Sequence, residues 1–262
     1  ASAVPADAPP ARAMSAPIAP LPFAIPTNLP LADRPPVRFA KPARADGPRR
    51  IGLQAGHWLT QSLPADLRGL ETATGTSWGS VLEWQLNIDV AQRAAEILRR
   101  HGHAVDVLPT AVPPGYLADA FVAIHADGDP SGLSRGFKVA HSAYPRGPHD
   151  ALLAGAIAQE YAHATGLPID PRLTGRMYRY YAFGWSRYRS SAAPHTPAAI
   201  IEMGFLTHAD DRAVIVARPD LVAQGLANGI LRFLAEIPAD AVFVDDLVLT
   251  PWPPYLGGQP GT

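Results

Sequence analysis

Twelve of the chain's 29 prolines fall within its first 48 residues, and this divides the sequence before any other reading begins. Proline has a fixed φ and no amide proton, so a run this dense neither pairs into a sheet nor continues a helix. Residues 1–48 are therefore expected to form an extended, polyproline-like arm or linker, able to lie on a body through apolar patches such as "PLPFAIP". The opening "ASAVPADAPPARAM" has neither the basic nor the apolar region of a signal peptide. It suits the start of an exported mature chain and an ordinary terminus equally.

Beyond Pro48 strand and helix patterns alternate. "RRIGLQ", "AVDVL", "FVAIHA", "GFKVAHS" and "AAIIEMG" read as strands. A helix follows from Leu82, with Leu82, Leu86, Val90, Ala94 and Leu98 on one side and Gly102 as its stop. "HDALLAGAIAQEYAHATG" is a second helix ending at Gly166, and "DLVAQGLANGILRFLAEI" a last one with Asp220 as N-cap. The expectation is one α/β domain over residues 49–237, a twisted, mostly parallel sheet flanked by helices on both faces. Residues 238–262 would be an extension, with "AVFVDDLVLT" adding an edge strand and "PWPPYLGGQPGT" a tail.

Composition narrows the function classes. The formal net charge of −1 gives no global field for nucleic acid. The absence of cysteine excludes disulfides and thiolate ligands, and no apolar run approaches the ~18 residues of a membrane helix.

Ligands of open α/β sheets bind outside the carboxyl ends of the strands. Three of the expected strands reach that edge with a titratable residue: "RRIGLQ" leads to His57, "FVAI" to His125 and "AAII" to Glu202. Each alone has a structural explanation. Glu83 is a fourth candidate, with two readings. "SVLE" fits a capping box, Ser80 at N-cap and Glu83 at N3, yet a helix start at the same edge would also face both histidines. Glu71 is the rival carboxylate in that connection.

Two histidines and a glutamate form a usual catalytic zinc set with one position left for water. A carboxylate outside that set, Glu202, would carry protons, and a nearby dication would explain its place in an apolar run. The sequence has no HExxH, and Thr60 stands where an HxxE pattern after His57 would need glutamate. His195, in "APHTP", is a further histidine that sequence alone does not place, while His101 and His103 flank a helix stop and are expected in solvent.

These motifs together resemble the zinc-dependent N-acetylmuramoyl-L-alanine amidases, peptidoglycan hydrolases of the amidase-3 type. The resemblance rests on "AGH" at His57, "EWQLN" from Glu83 to Asn87, "AIHADG" at His125 and "IEMGFLTHADD" at Glu202, in that order over residues 50–236. It implies one zinc ion held by His57, Glu83 and His125, Glu202 as the catalytic carboxylate, peptidoglycan as substrate, and a place in the cell envelope, periplasmic or secreted. Two positions depart from the family pattern: Gln54 stands where Asp is usual and Trp58 where a second Gly is usual. The connection from His57 to Glu83 is also longer, which suggests a lid or cleft wall. In "RMYRYYAFGWSRYRSS", Tyr178, Tyr181, Trp185 and Arg187 are candidates for holding a muropeptide, their alternative being core packing. Two other functions fit the same residues, a zinc amidohydrolase for small acyl-amino acids or peptides and a non-catalytic wall-binding module.

Overall fold

A computed structural model describes residues 16–44, 46–243 and 245–253. The expectations for residues 1–14 and for the end of the tail lie outside them. The elements in chain order are β1 (Val37–Phe39), β2 (Arg50–Ala55), β3 (Ser77–Trp78), β4 (Val81–Leu82), α1 (Glu83–Arg100), β5 (Ala104–Leu108), β6 (Ala120–Asp127), β7 (Lys138–Ala140), α2 (Asp150–Thr165), α3 (Gly175–Tyr178), β8 (Ala198–Phe205), α4 (Ala209–Ile215), α5 (Pro219–Glu236) and β9 (Leu247–Leu249).

Five strands form the central sheet in the order β5-β2-β6-β8-β7. Four are parallel and β7 runs antiparallel at the edge. β6 and β8 are apolar and almost wholly buried, as strands covered on both faces must be. Alternation along them divides the core. Leu53, Val122, Ile124 and Ile201 face α1, α2 and α5, while Phe121, Ala123 and Ile200 face a second cluster with Tyr116, Tyr181 and Trp252. Helices therefore stand on both sides of the sheet, but unequally. The three long ones share one face, and on the other the single turn of α3 joins loops in covering the sheet.

α2 and α5 pack closely because small residues meet at their contact. A Cβ at Gly229 would come within 2.5 Å of Ile157 Cα. Asp220 is not the cap of α5: Arg218 takes that position, Pro219 opens the first turn where its missing amide proton is not needed, and Asp220 pairs with Arg93 instead.

Two expectations about the ends need correction. The arm does pair into a sheet, because Val37–Phe39 lies between Pro36 and Pro42 and has its amides free. Its partner is β9, antiparallel, so the strand within "AVFVDDLVLT" extends the arm and not the edge of the central sheet. The arm also lies on the body, with Gln159 Nε2 donating to Ala19 O at 2.8 Å and Ile25 buried.

Candidate metal centre

The site lies where β2, β6 and β8 end and α1 begins. β2 continues its ladder one residue further, Gly56 N donating to Ile124 O at 3.0 Å, and then turns sharply. His57 sits in that turn at φ 62°, a left-handed conformation that costs a non-glycine residue about 1–3 kcal/mol. Its Nδ1 is 2.6 Å from Ala73 O. A carbonyl only accepts, so Nδ1 carries the proton and the Nε2 lone pair points inward. There it meets Glu83 Oε1 at 3.4 Å.

Glu83 is the first residue of α1, and its side chain turns into the site. The capping box does not form: Leu82 holds the N-cap position and no side chain among the described residues caps the helix. Glu83 Oε2 accepts from Thr76 N at 2.7 Å, while Oε1 accepts from Ala126 N at 3.2 Å and Asn87 Nδ2 at 3.3 Å. Gly75, at φ +78°, makes room for this, since a Cβ there would stand 2.5 Å from Glu83 Oε2. Thus the long 58–82 connection orients two candidate ligands, His57 through Ala73 and Glu83 through Thr76. Glu71 in the same connection is exposed and takes no part.

His125 lies on β6 with Nδ1 3.1 Å from Glu83 Oε1. One ligand atom from each of His57, Glu83 and His125 lies within 4.8 Å of the others. Their titration follows from this crowding. Burial opposes charge on Glu83, but the two imidazoles hold its pKa well below the usual range. Burial pulls His57 down, and Glu83 outweighs it, leaving the pKa raised. His125 is lowered, chiefly by burial.

Glu202 on β8 stands in register with His125. Its Oε2 is buried and has no hydrogen-bond partner among the described residues, and burial, then the charges of Asp127 and Glu83, push its pKa well above the usual carboxylate range. Lys138, opposite on β7, opposes that shift. An orphaned buried carboxylate beside two imidazoles and a second carboxylate is a donor set that fits a divalent cation.

The aromatic stretch is arranged differently from the expectation. Tyr181 is buried, its hydroxyl donating to Thr110 O at 2.6 Å, so it is not a wall of the cleft. Trp185 packs edge-on against Phe39 of the arm and donates from Nε1 to Pro145 O. Tyr178 and Arg187 are half-buried, and Arg187 lies over the Tyr188 ring. His195 packs near Phe39 and Asp245 O, apart from the grouped ligands. The residue that sequence reasoning passed over is Tyr180, whose hydroxyl is 3.0 Å from His125 Nε2. Its only signal was membership of that aromatic run.

Residues 114–232 match the family model described as N-acetylmuramoyl-L-alanine amidase. The match covers less than half of the chain, and it makes this segment similar to that amidase family. The matched span includes His125 and Glu202, and the fold brings His57 and Glu83 to them. Among solved structures, the N-acetylmuramoyl-L-alanine amidase AmiC2 of Nostoc punctiforme is similar in fold, with a TM-score of 0.52 and 21% identity over 73% of this chain and 99% of that one. Ami1 from Mycobacterium smegmatis gives 0.52 and 19% over 72% and 97%. The apo form of Ami1 from Mycobacterium abscessus gives 0.51 and 19% over 71% and 98%. No curated protein sequence matches this chain.

Proposed function

We propose that the chain is a zinc-dependent N-acetylmuramoyl-L-alanine amidase that cleaves the amide between the lactyl group of N-acetylmuramic acid and L-alanine in peptidoglycan. The observation that carries this reading is the meeting of His57, Glu83 and His125 beside an unpartnered Glu202 oxygen, in a chain similar to this family. Those three residues would hold one zinc ion. Bound there, zinc supplies Lewis acidity to the scissile carbonyl and lowers the pKa of the attacking water.

The chain's own groups do the rest. Ala73 and Thr76 orient His57 and Glu83, so the site is organised before substrate arrives. Glu202 takes the proton of the attacking water at its free oxygen and delivers it to the leaving nitrogen, so that the C–N bond breaks to a carboxylic acid and an amine. Burial and the nearby carboxylates raise its pKa, and a dication held beside it would favour the ionised form that accepts the proton. For substrate contact we assign Tyr178 and Arg187, which keep part of their side chains at the surface.

The substrate carries the localisation with it, a periplasmic or secreted place in the cell envelope. No helix among the described residues is long and apolar enough to cross a membrane. The test is digestion of purified peptidoglycan with the products read by mass spectrometry. Peptides with a free N-terminal L-alanine, absent from a chelated control, are expected. Cleavage at any other bond would overturn the assignment.

A further inference from the structure

Behind His125, on the side away from Glu83, runs a second chain of hydrogen bonds that the reaction does not use. His125 Nε2 is 3.0 Å from the Tyr180 hydroxyl oxygen, which is 2.9 Å from Gln54 Oε1. Gln54 Nε2 reaches Thr110 O at 2.9 Å and the Tyr181 hydroxyl at 2.6 Å, and that hydroxyl reaches Thr110 O at 2.6 Å. Gln54, His125, Tyr180 and Tyr181 are all buried. Buried polar groups satisfy one another where they can, and these side chains and the Thr110 carbonyl lie within reach to do so.

Their protons can be counted. The Thr110 carbonyl only accepts, so the Gln54 amide must turn its nitrogen there, and Tyr181 must spend its single proton there too. That leaves Gln54 Oε1 facing Tyr180. Oε1 only accepts, so the Tyr180 proton goes to it. Tyr180 then offers His125 a lone pair, and the imidazole must meet it with an N–H at Nε2. Reversing either link would set acceptor against acceptor in a buried site. A neutral imidazole with its proton on Nε2 has its lone pair on Nδ1, the nitrogen that faces Glu83 Oε1 at 3.1 Å.

We infer that Gln54 and Tyr180 are positioning residues for the metal: they fix the tautomer of His125 so that Nδ1 is left free to ligate. The arrangement matches that of His57, where Ala73 O fixes the proton on Nδ1 and frees Nε2. Both histidines thereby turn lone pairs toward one carboxylate, which is favourable only with a cation among them. The inference rests on the proposed reading of His57, Glu83 and His125 as ligands. Outer partners of this kind orient ligands and typically contribute about 10–100-fold to metal affinity.

The test is the zinc affinity of the full chain, measured by competition with a chromophoric chelator. Wild type is compared with Tyr180→Phe, Gln54→Leu and the double variant, with circular dichroism confirming the fold. Each single variant is expected to bind zinc about 10–100-fold more weakly. The double variant should be no worse than the weaker single, because both residues act through one hydrogen bond to His125. A second measurement needs no variant: ¹⁵N NMR of labelled histidine in the zinc-loaded chain should show His125 with its proton on Nε2. An Nδ1-protonated His125, or folded single variants with wild-type affinity, would overturn the inference while leaving the zinc reading in place. A wild-type chain that holds no zinc would overturn both.

Discussion

Glu83 Oε1 lies 3.1 Å from His125 Nδ1, although 42 residues separate the two in the chain. The same oxygen is 3.4 Å from His57 Nε2, so one buried carboxylate at a helix start gathers histidines from two strand ends. Glu83→Ala should therefore lower zinc affinity by more than the ~10–100-fold expected of outer partners. Equilibrium dialysis against buffered zinc measures this, and an unchanged affinity would remove Glu83 from the ligand set.

Zinc binding should weaken in acid in a defined direction. Burial lowers the His57 pKa, but Glu83 raises it by more, so the folded value stands above the ordinary 6.5. His57 must be neutral to ligate. Affinity is then greatest above the folded pKa and falls about tenfold for each pH unit below it, as one proton displaces the metal. In the zinc-free chain the sign is opposite for stability. The contribution is full below 6.5 and is lost as pH rises through the folded value. Zinc titrations and thermal melts across this range check both halves.

Gly56 has a packing role that its turn position does not reveal. A Cβ there would overlap the His125 ring, which lies directly against it. Gly56→Ala should displace the imidazole and reduce zinc affinity. Its melting temperature should fall less than that of Arg146→Met, considered next.

Arg146 is a structural counterpart to the site. It is buried, with Nε 3.1 Å from Asp150 Oδ2 and further hydrogen bonds to the carbonyls of Phe183, Ala193 and Thr196. Removing it leaves Asp150 buried without its cation. Arg146→Met should cost about 3–5 kcal/mol of stability, read by urea denaturation. The zinc affinity of the fraction that stays folded should match wild type.

The sequence made the sheet legible because buried parallel strands read as apolar runs, and "FVAIHA" and "AAIIEMG" became β6 and β8. It also singled out His57, His125 and Glu202 as candidates, since polar groups at the ends of such runs need a reason, and Glu83 as a carboxylate at a helix start beside them. What it concealed depends on directions no spacing encodes. Ser80 and Glu83 fit a capping box by position, yet the Glu83 side chain turns inward because Thr76 N and Ala126 N wait for it. Tyr181 and Trp185 looked like neighbours of a cleft, but one is spent on Thr110 and the other on the arm. Gln54 was visible only as a departure from the family pattern; its reason is the Thr110 carbonyl, which needs an N–H that a carboxylate lacks. The pairing of β1 with β9 joins segments at opposite ends of the chain, a contact that local patterns do not carry.

The most direct test of the central claim measures zinc content and peptidoglycan products on the same preparations of wild type and Glu202→Gln. One zinc per chain is expected in both. Release of peptides beginning with free L-alanine should be lower in the variant by about 10²–10⁴-fold, the usual contribution of a positioned proton carrier. A variant that cleaves at the wild-type rate, or a wild type that cleaves without zinc, would contradict the account.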